Sequence, residues 1–208
     1  MKPDIKTNYD DHSAEFGEFA DKSFSWRFLE RPAFDEHIGN MYRADVKALD
    51  IGCGTGDNAI WLAQNGFQVT GTDASNIALE KAREKASKGN VKCDFILADF
   101  LNDKIEGAPF GFVFDRGCFH AFTSGKDRNT FAKNVAAHLE EGGLWLTLVG
   151  NADEDRQGPG PPQRTAGDIV LAVEPYFEIL LLMSSHFGSN HLNAPSAWRC
   201  LMQKRHRI

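Results

Sequence analysis

A glycine-spaced turn directly after a short apolar run is the feature that most restricts how this chain can fold. The run covers residues 48–51, and glycines follow it at positions 52, 54 and 56. Beyond them, apolar residues recur at helical spacing from residue 59 onwards. A strand, a glycine turn and a helix in this order are typical of the opening unit of a nucleotide-binding α/β domain. Glycine suits such a turn because it adopts positive φ and brings no Cβ towards a ligand.

The remaining sequence alternates strands with helices and then ends in strands alone. The pattern predicts further strands at residues 67–72, 91–97, 112–115, 144–149, 177–185 and 198–203, and helices that begin near residue 57 and span 74–86, 128–138 and 166–173. Glycines 142 and 143 are expected to end the third of these helices. No helix separates the last two strands, so they must be antiparallel. The prediction is a Rossmann-like α/β fold with a seven-stranded sheet, five parallel-type strands, a terminal antiparallel hairpin and helices on both faces.

Length and composition limit the possible classes of protein. The 208 residues suit a single domain, 1–208, in which an aromatic-rich helical cap (1–45) precedes the α/β core (46–208). A net charge of −6 argues against a nucleic-acid partner. We find no apolar run that could span a bilayer and no signal peptide, and the four cysteines lack metal-site spacing. These features predict a cytoplasmic protein with free thiols, no metal and no membrane contact, and they leave the oligomeric state open.

The spacing of the glycine turn distinguishes between kinds of cofactor. A dinucleotide-binding loop, G-x-G-x-x-G, would need a third glycine at position 57, where this chain has Asp57. The carboxylates of Asp50 and Asp57 would attract a ligand with a cationic end, whereas they would repel an anionic pyrophosphate. The D-x-G-x-G-x-G pattern resembles motif I of the class I S-adenosylmethionine (SAM)-dependent methyltransferases. A polar 151–165 loop, which follows the fifth strand, would rise over the mouth of the site.

The resemblance implies SAM as cofactor, S-adenosylhomocysteine (SAH) as product and a set of binding residues at the strand ends. Asp73 ends the second strand, 21 positions after Gly52, where a ribose diol would be hydrogen-bonded. Asp99 matches the acidic residue that binds the adenine amine in this family, and Phe100 matches the apolar residue that packs on the ring. The residues expected to bind the cofactor are Trp26, Asp50, Gly52, Cys53, Gly54, Gly56, Asn58, Asp73, Ala74, Asp99, Phe100 and Asp115.

The segment after the fourth strand is the expected site of acceptor chemistry. Residues 115–122 resemble, more loosely, those of small-molecule methyltransferases near the thiopurine, thiol and tellurite-detoxifying groups. Because positioning provides most of the acceleration in an in-line (SN2) transfer from a sulfonium, a thiol or other soft nucleophile ranks first as acceptor. The alternative is an oxygen or nitrogen acceptor on a small metabolite, with His120 as the base. Arg116 would hold an anionic acceptor or pair with Asp115 or Asp99.

Two interpretations that assign the chain to other functional classes remain at this stage. The chain could bind SAM without catalysis, in which case side chains would fill the mouth of the site. A nicotinamide dehydrogenase is disfavoured, because Asp57 replaces the third glycine and a second acidic strand end follows at Asp99.

Overall fold

One mixed sheet organises the part of the chain that the computed structural model describes, residues 46–156, 160–187 and 195–206. Its strand order is β3-β2-β1-β4-β5-β8-β7, and β6 pairs with the end of β5. Strands β1 to β6 pair in parallel, whereas β8 is antiparallel to both β5 and β7. The strands are β1 (Lys47–Ile51), β2 (Gln68–Asp73), β3 (Asp94–Leu97), β4 (Phe110–Arg116), β5 (Leu139–Asn151), β6 (Gln163–Arg164), β7 (Phe177–His186) and β8 (Ser196–Lys204).

Helices cover both faces of the sheet, as the alternation of side chains along its strands requires. They are α1 (Asp57–Gln64), α2 (Asn76–Lys88), α3 (Gly125–His138) and α4 (Ala166–Val173), with a 3₁₀ turn at Phe119–Ala121. Ala48 of β1 packs in the apolar cluster that contains Leu62 of α1. Its neighbour Leu49 points the other way, into the cluster that contains Phe131 of α3 and Ile169 of α4. Within the described ranges, no helix combines the length and apolar character needed to cross a membrane.

The predicted fold class is confirmed, and the differences lie at the boundaries of elements. Strand β3 begins at Asp94, three residues later than predicted. Helix α3 begins earlier than predicted, at Gly125, because the Ser124 hydroxyl accepts a hydrogen bond from the Lys126 N–H and caps it.

Two further differences concern the fifth strand and the loop after it. Glycines 142 and 143 do not end α3, which stops at His138, but lie inside an irregular part of β5 where Gly142 has a φ of +74°. The predicted 151–165 loop contains the short strand β6, which continues the parallel sheet beside β5. The predicted cap, 1–45, with Trp26, lies outside the described residues.

Candidate cofactor and acceptor site

The glycine turn after β1 lies at the edge of the sheet where the parallel strands end. Gly52, Gly54 and Gly56 all have positive φ, at 66°, 54° and 83°. A Cβ at Gly52 would lie 2.9 Å from the Cβ of Cys118, and one at Gly56 would lie 2.8 Å from the Cβ of Ala82. A Cβ at Gly54 would have no described atom within 4 Å. Two of the glycines therefore allow close packing, and the third leaves open space at the turn.

The carboxylate of Asp73 ties this turn to the end of β2. Its Oδ2 accepts a hydrogen bond from the Gly54 N–H at 2.8 Å, and its Oδ1 accepts one from the Ser75 N–H at 2.8 Å. The neighbouring Cys53 N–H donates to the carbonyl oxygen of Thr72. These two hydrogen bonds hold the Asp73 carboxylate in place beside the turn, where a carboxylate suits the hydroxyls of a ribose diol. The half-buried Ala74 follows directly. This open, side-chain-free turn beside a fixed carboxylate fits an adenosyl group.

Asp50 and Asp57 do not face a ligand as bare anions, contrary to the sequence-based expectation. Asp50 is 1% exposed, and burial raises its pKa well above the usual range, an effect that the charges of Asp115 and Asp73 reinforce. Its Oδ2 makes no hydrogen bond with the described residues. Asp57 instead pairs with Lys85 of α2, with 3.2 Å between Nζ and Oδ2. The Lys85 ammonium also donates to the Thr55 hydroxyl at 2.9 Å and so fastens the end of the turn to α2.

Asp99 lies at the end of β3 in a turn that its own side chain stabilises. Its Oδ1 accepts from the Leu101 N–H at 3.1 Å, and its Oδ2 accepts from the Asn102 side-chain amide at 2.7 Å. From α3, the Asn134 amide donates to the carbonyl oxygens of Phe100 and Leu101, at 2.9 and 3.1 Å. The half-buried carboxylate is thereby held at the ligand-binding edge of the sheet.

Phe100 does not lie where the resemblance places it. Its side chain is 5% exposed, and its ring centroid is 4.9 Å from that of Phe131 in the core. The turn after Asp99 directs this ring towards α3, so it has almost no surface left for an adenine ring. This packing argues against the expected stacking role of Phe100, which stays a prediction.

Asp115 supports the segment after β4 and does not reach a ligand. It is fully buried, its Oδ1 accepts from the Phe119 N–H and its Oδ2 from the Trp145 indole N–H, each at 3.0 Å. Burial raises the pKa of Asp115 to about 6, although these hydrogen bonds work against the rise. With an internal donor on each oxygen, the carboxylate anchors the 3₁₀ turn, and its expected role in cofactor binding stays a prediction.

His120 is held as a neutral ring between two strand ends. Its Nδ1 accepts a hydrogen bond from the Gly150 N–H at 2.8 Å, so the ring proton must be on Nε2. Burial lowers the pKa of His120 to about 3, and the charges of Arg164 and Arg116 lower it further. A ring that is 5% exposed and already accepts a hydrogen bond from Gly150 is poorly placed to act as a base near neutral pH. This geometry argues against the catalytic role of His120, which stays a prediction.

Two other residues after β4 were considered from the sequence. The guanidinium of Arg116 lies 5.4 Å from the ring centroid of Phe187, and burial lowers its pKa to about 10. The oxygens of Asp115 accept from Phe119 and Trp145, and the suggested pairing of Arg116 with Asp115 stays a prediction. Cys118 packs against Gly52, and burial raises the pKa of its thiol well above the usual range, as expected of a packing residue.

Sequence reasoning missed the groups that hold these predicted residues in place. Lys85 and Asn134 contribute side chains from helices, whereas Ser75 and Gly150 contribute backbone N–H groups. No spacing rule relates them to the residues they contact, which lie elsewhere in the chain. Ser75 is the exception, because a serine just before a helical pattern is a recognisable N-cap.

Comparison with known proteins identifies the domain. Residues 48–143 match a family model described as a methyltransferase domain. The chain is 34% identical over 115 residues to a probable thiol methyltransferase of Arabidopsis thaliana, covering 54% of this chain and 50% of that protein. It is 30% identical over 125 residues to a SAM-dependent Diels-Alderase of Talaromyces variabilis, covering 56% and 41%. The chain thus spans about half the length of the curated relatives it matches.

The fold agrees with these matches. The structure of TehB from Haemophilus influenzae superimposes with a TM-score of 0.65 at 19% identity, covering 88% of this chain and 66% of that one. Strand order, glycine turn and acidic strand ends all agree with the family resemblance found in the sequence. Residues 48–143 therefore match a methyltransferase domain, and the chain is similar to class I SAM-dependent methyltransferases in sequence and in fold.

Proposed function

We propose that this chain transfers the methyl group of SAM to a small-molecule acceptor, with a thiol or another soft nucleophile preferred. The cradle formed by Gly54 and the doubly hydrogen-bonded Asp73 is the observation that carries this proposal. SAM, once bound, supplies a methyl group on a sulfonium. The described residues hold the adenosyl end and the acceptor segment in place, and positioning of this kind supplies most of the catalysis.

The state of His120 supports a soft acceptor. A thiol of ordinary pKa, near 8.5, has a reactive thiolate fraction at neutral pH and needs no base from the protein. A phenol or alcohol ionises at a higher pH and would need one. The Nδ1 of His120 already accepts from Gly150, and this contact argues against the alternative of an oxygen acceptor with His120 as base. The name of the Arabidopsis relative, a probable thiol methyltransferase, agrees with this preference.

The Talaromyces relative, named a SAM-dependent Diels-Alderase, provides a second candidate, a cycloaddition that depends on SAM. Under both candidates the ligands are small molecules. We also propose that the protein is cytoplasmic and has no nucleic-acid partners. A chain that binds SAM without catalysis is the third possibility, and it differs from both in making no product.

Purified protein should be incubated with methyl-labelled SAM and matched panels of thiols, phenols and amines. Under our proposal, label moves to thiols and one SAH forms per methylated product. Label transferred to phenols or amines but not to thiols would overturn the preferred acceptor. SAM binding without SAH formation on any panel would overturn methyl transfer and leave the second or third candidate.

A further inference from the structure

Arg164 places a guanidinium beside the acceptor segment. It is the last residue of β6 and lies opposite Asn151, the last residue of β5, in the parallel register. Its Nη2 donates to the carbonyl oxygen of Phe122 at 3.0 Å, just after the 3₁₀ turn that contains His120. Its positive charge is one of the causes that lower the pKa of His120. Arg164 thus joins the segment after β4 to the end of β5.

Arg164 shares its hydrogen-bond acceptor with a second guanidinium. Arg128 donates to the same Phe122 carbonyl oxygen at 3.0 Å, so two guanidinium groups share one acceptor. Asp168, whose charge also acts on Arg164, pairs with Arg128 at 2.6 Å and accepts from the N–H and hydroxyl of Thr165. Among the described residues, the Asp168 carboxylate is therefore hydrogen-bonded to Arg128 and Thr165 and not to Arg164.

The hydrogen-bonding capacity of Arg164 is also only partly used. A guanidinium has five N–H donors. Within the described residues, Nη1 donates to the Gln163 carbonyl oxygen, Nη2 donates to that of Phe122, and Nε makes no hydrogen bond. No described carboxylate lies within 4 Å of this guanidinium, whereas Arg156 and Arg205 each have one. The half-buried Arg164 side chain can therefore still donate to an anion at the mouth of the site.

From this geometry we propose that Arg164 binds an anionic group of the methyl acceptor, a carboxylate carried by a small thiol. The proposal rests on the proposed function and narrows its substrate class. A carboxylate accepts two parallel N–H bonds from a guanidinium, and its negative charge would pair with the positive charge of Arg164. Arginine suits this task better than lysine, because its donors form a rigid fork.

The test compares 2-mercaptobenzoate with its methyl ester, two thiols that differ in one negative charge. We expect Arg164→Met to lower kcat/KM for the acid by about 10- to 100-fold and to change that for the ester by less than about 3-fold. Arg164→Lys should restore part of the loss. Arg205→Met serves as control, because Arg205 pairs with Glu174 beyond the end of β8, at the opposite edge of the sheet, and both thiols should react as with the wild type.

A binding measurement separates this inference from the proposed function. Calorimetric titration of 2-mercaptobenzoate into the SAH complex should show at least about 10-fold weaker binding in Arg164→Met, even if no thiol is methylated. Equal losses for acid and ester, unchanged binding of the acid, or wild-type protein that binds neither would overturn the role of Arg164. Weaker SAH binding in Arg164→Met would place the guanidinium on the cofactor and would overturn it as well.

Discussion

The His120 ring has its Nδ1 lone pair occupied by a backbone N–H from β5, and this contact makes its protonation costly. Folding lowers its pKa from 6.5 to about 3, so between these values the unfolded chain binds a proton that the folded chain does not. The stabilisation from a neutral His120 is therefore complete above pH 6.5 and is lost as the pH falls towards 3. Burial of Asp115, whose pKa rises to about 6, acts in the opposite sense over part of this range.

We predict that His120→Asn removes this dependence while keeping an acceptor for the Gly150 N–H. The unfolding free energy of the wild type minus that of the variant should decrease by up to about 1.4 kcal/mol for each pH unit below pH 6.5. Asp115 is common to both proteins, so its effect cancels. Denaturant unfolding from pH 4 to 8 measures the difference. A difference that stays constant with pH would show that His120 titrates alike in both states.

The Asp73 carboxylate is the second residue whose contacts allow a sharp prediction. Asp73→Asn leaves one acceptor oxygen where the Gly54 and Ser75 N–H groups now use two. We expect SAM and SAH to bind about 10- to 100-fold more weakly, since a charged acceptor for the diol is lost as well. The matched control is Asp94→Asn, an exposed carboxylate at the start of β3, which should bind both as the wild type does. Wild-type affinity in Asp73→Asn would contradict the assignment of this pocket.

At the scale of elements, helix α2 holds the glycine turn through one lysine. Lys85 bonds Thr55 and Asp57, whereas Lys88, one turn later, pairs with Glu84 of the same helix at 2.6 Å. We predict that Lys85→Met weakens SAM binding several-fold and lowers the unfolding free energy by about 1 kcal/mol, because Asp57 loses its partner at the turn. Lys88→Met breaks an exposed pair worth at most a few tenths of a kcal/mol and should change neither quantity. Calorimetry and denaturant unfolding of both variants provide the test, and equal effects would exclude the proposed link.

The elements themselves could be predicted from the sequence better than the contacts between them. The alternation of apolar residues and the glycine turn predicted the fold class and strands such as 67–72, because these are local signals. The pattern could not locate the start of β5, where Gly142 lies in a strand irregularity and does not cap a helix. The pattern also could not assign the position of Phe100, because an aromatic residue next to Asp99 suits the wall of a cofactor site as well as the core. Its packing against Phe131 of α3 places the ring in the core.

The same limit applies to His120. Its position after β4 suggested a role in acceptor chemistry, but its protonation depends on the N–H of Gly150, 30 residues further along the chain. Contacts of that range depend on how strands pair, and no spacing in the sequence records them. A catalytic role predicted from residue type alone, as for histidine, therefore depends strongly on how the strands pair.

At the scale of the whole molecule, the four cysteines of the chain are all held as thiols. Burial raises the pKa of Cys93 to about 11 and that of Cys200 to about 12, and it raises those of Cys53 and Cys118 well above the usual range. The carboxylate of Asp50 adds to the rise at Cys53, Cys93 and Cys118, and that of Asp115 adds to it at Cys200. The sheet thus keeps its own sulfur atoms protonated beside a site that we propose acts on an external thiol.

A protein that methylates thiols must avoid modifying its own, and this arrangement leads to the last prediction. At pH 8 a thiol of pKa 11 is about 0.1% thiolate, and the thiolate is the form that iodoacetamide attacks. We predict that the folded chain reacts with iodoacetamide at least about 100-fold more slowly than the chain in 6 M guanidinium, where all four cysteines should react. Mass spectrometry of each thiol over time provides the measurement, with glutathione as the external standard. Fast alkylation of native Cys118 would contradict the prediction and would place a reactive sulfur next to the glycine turn.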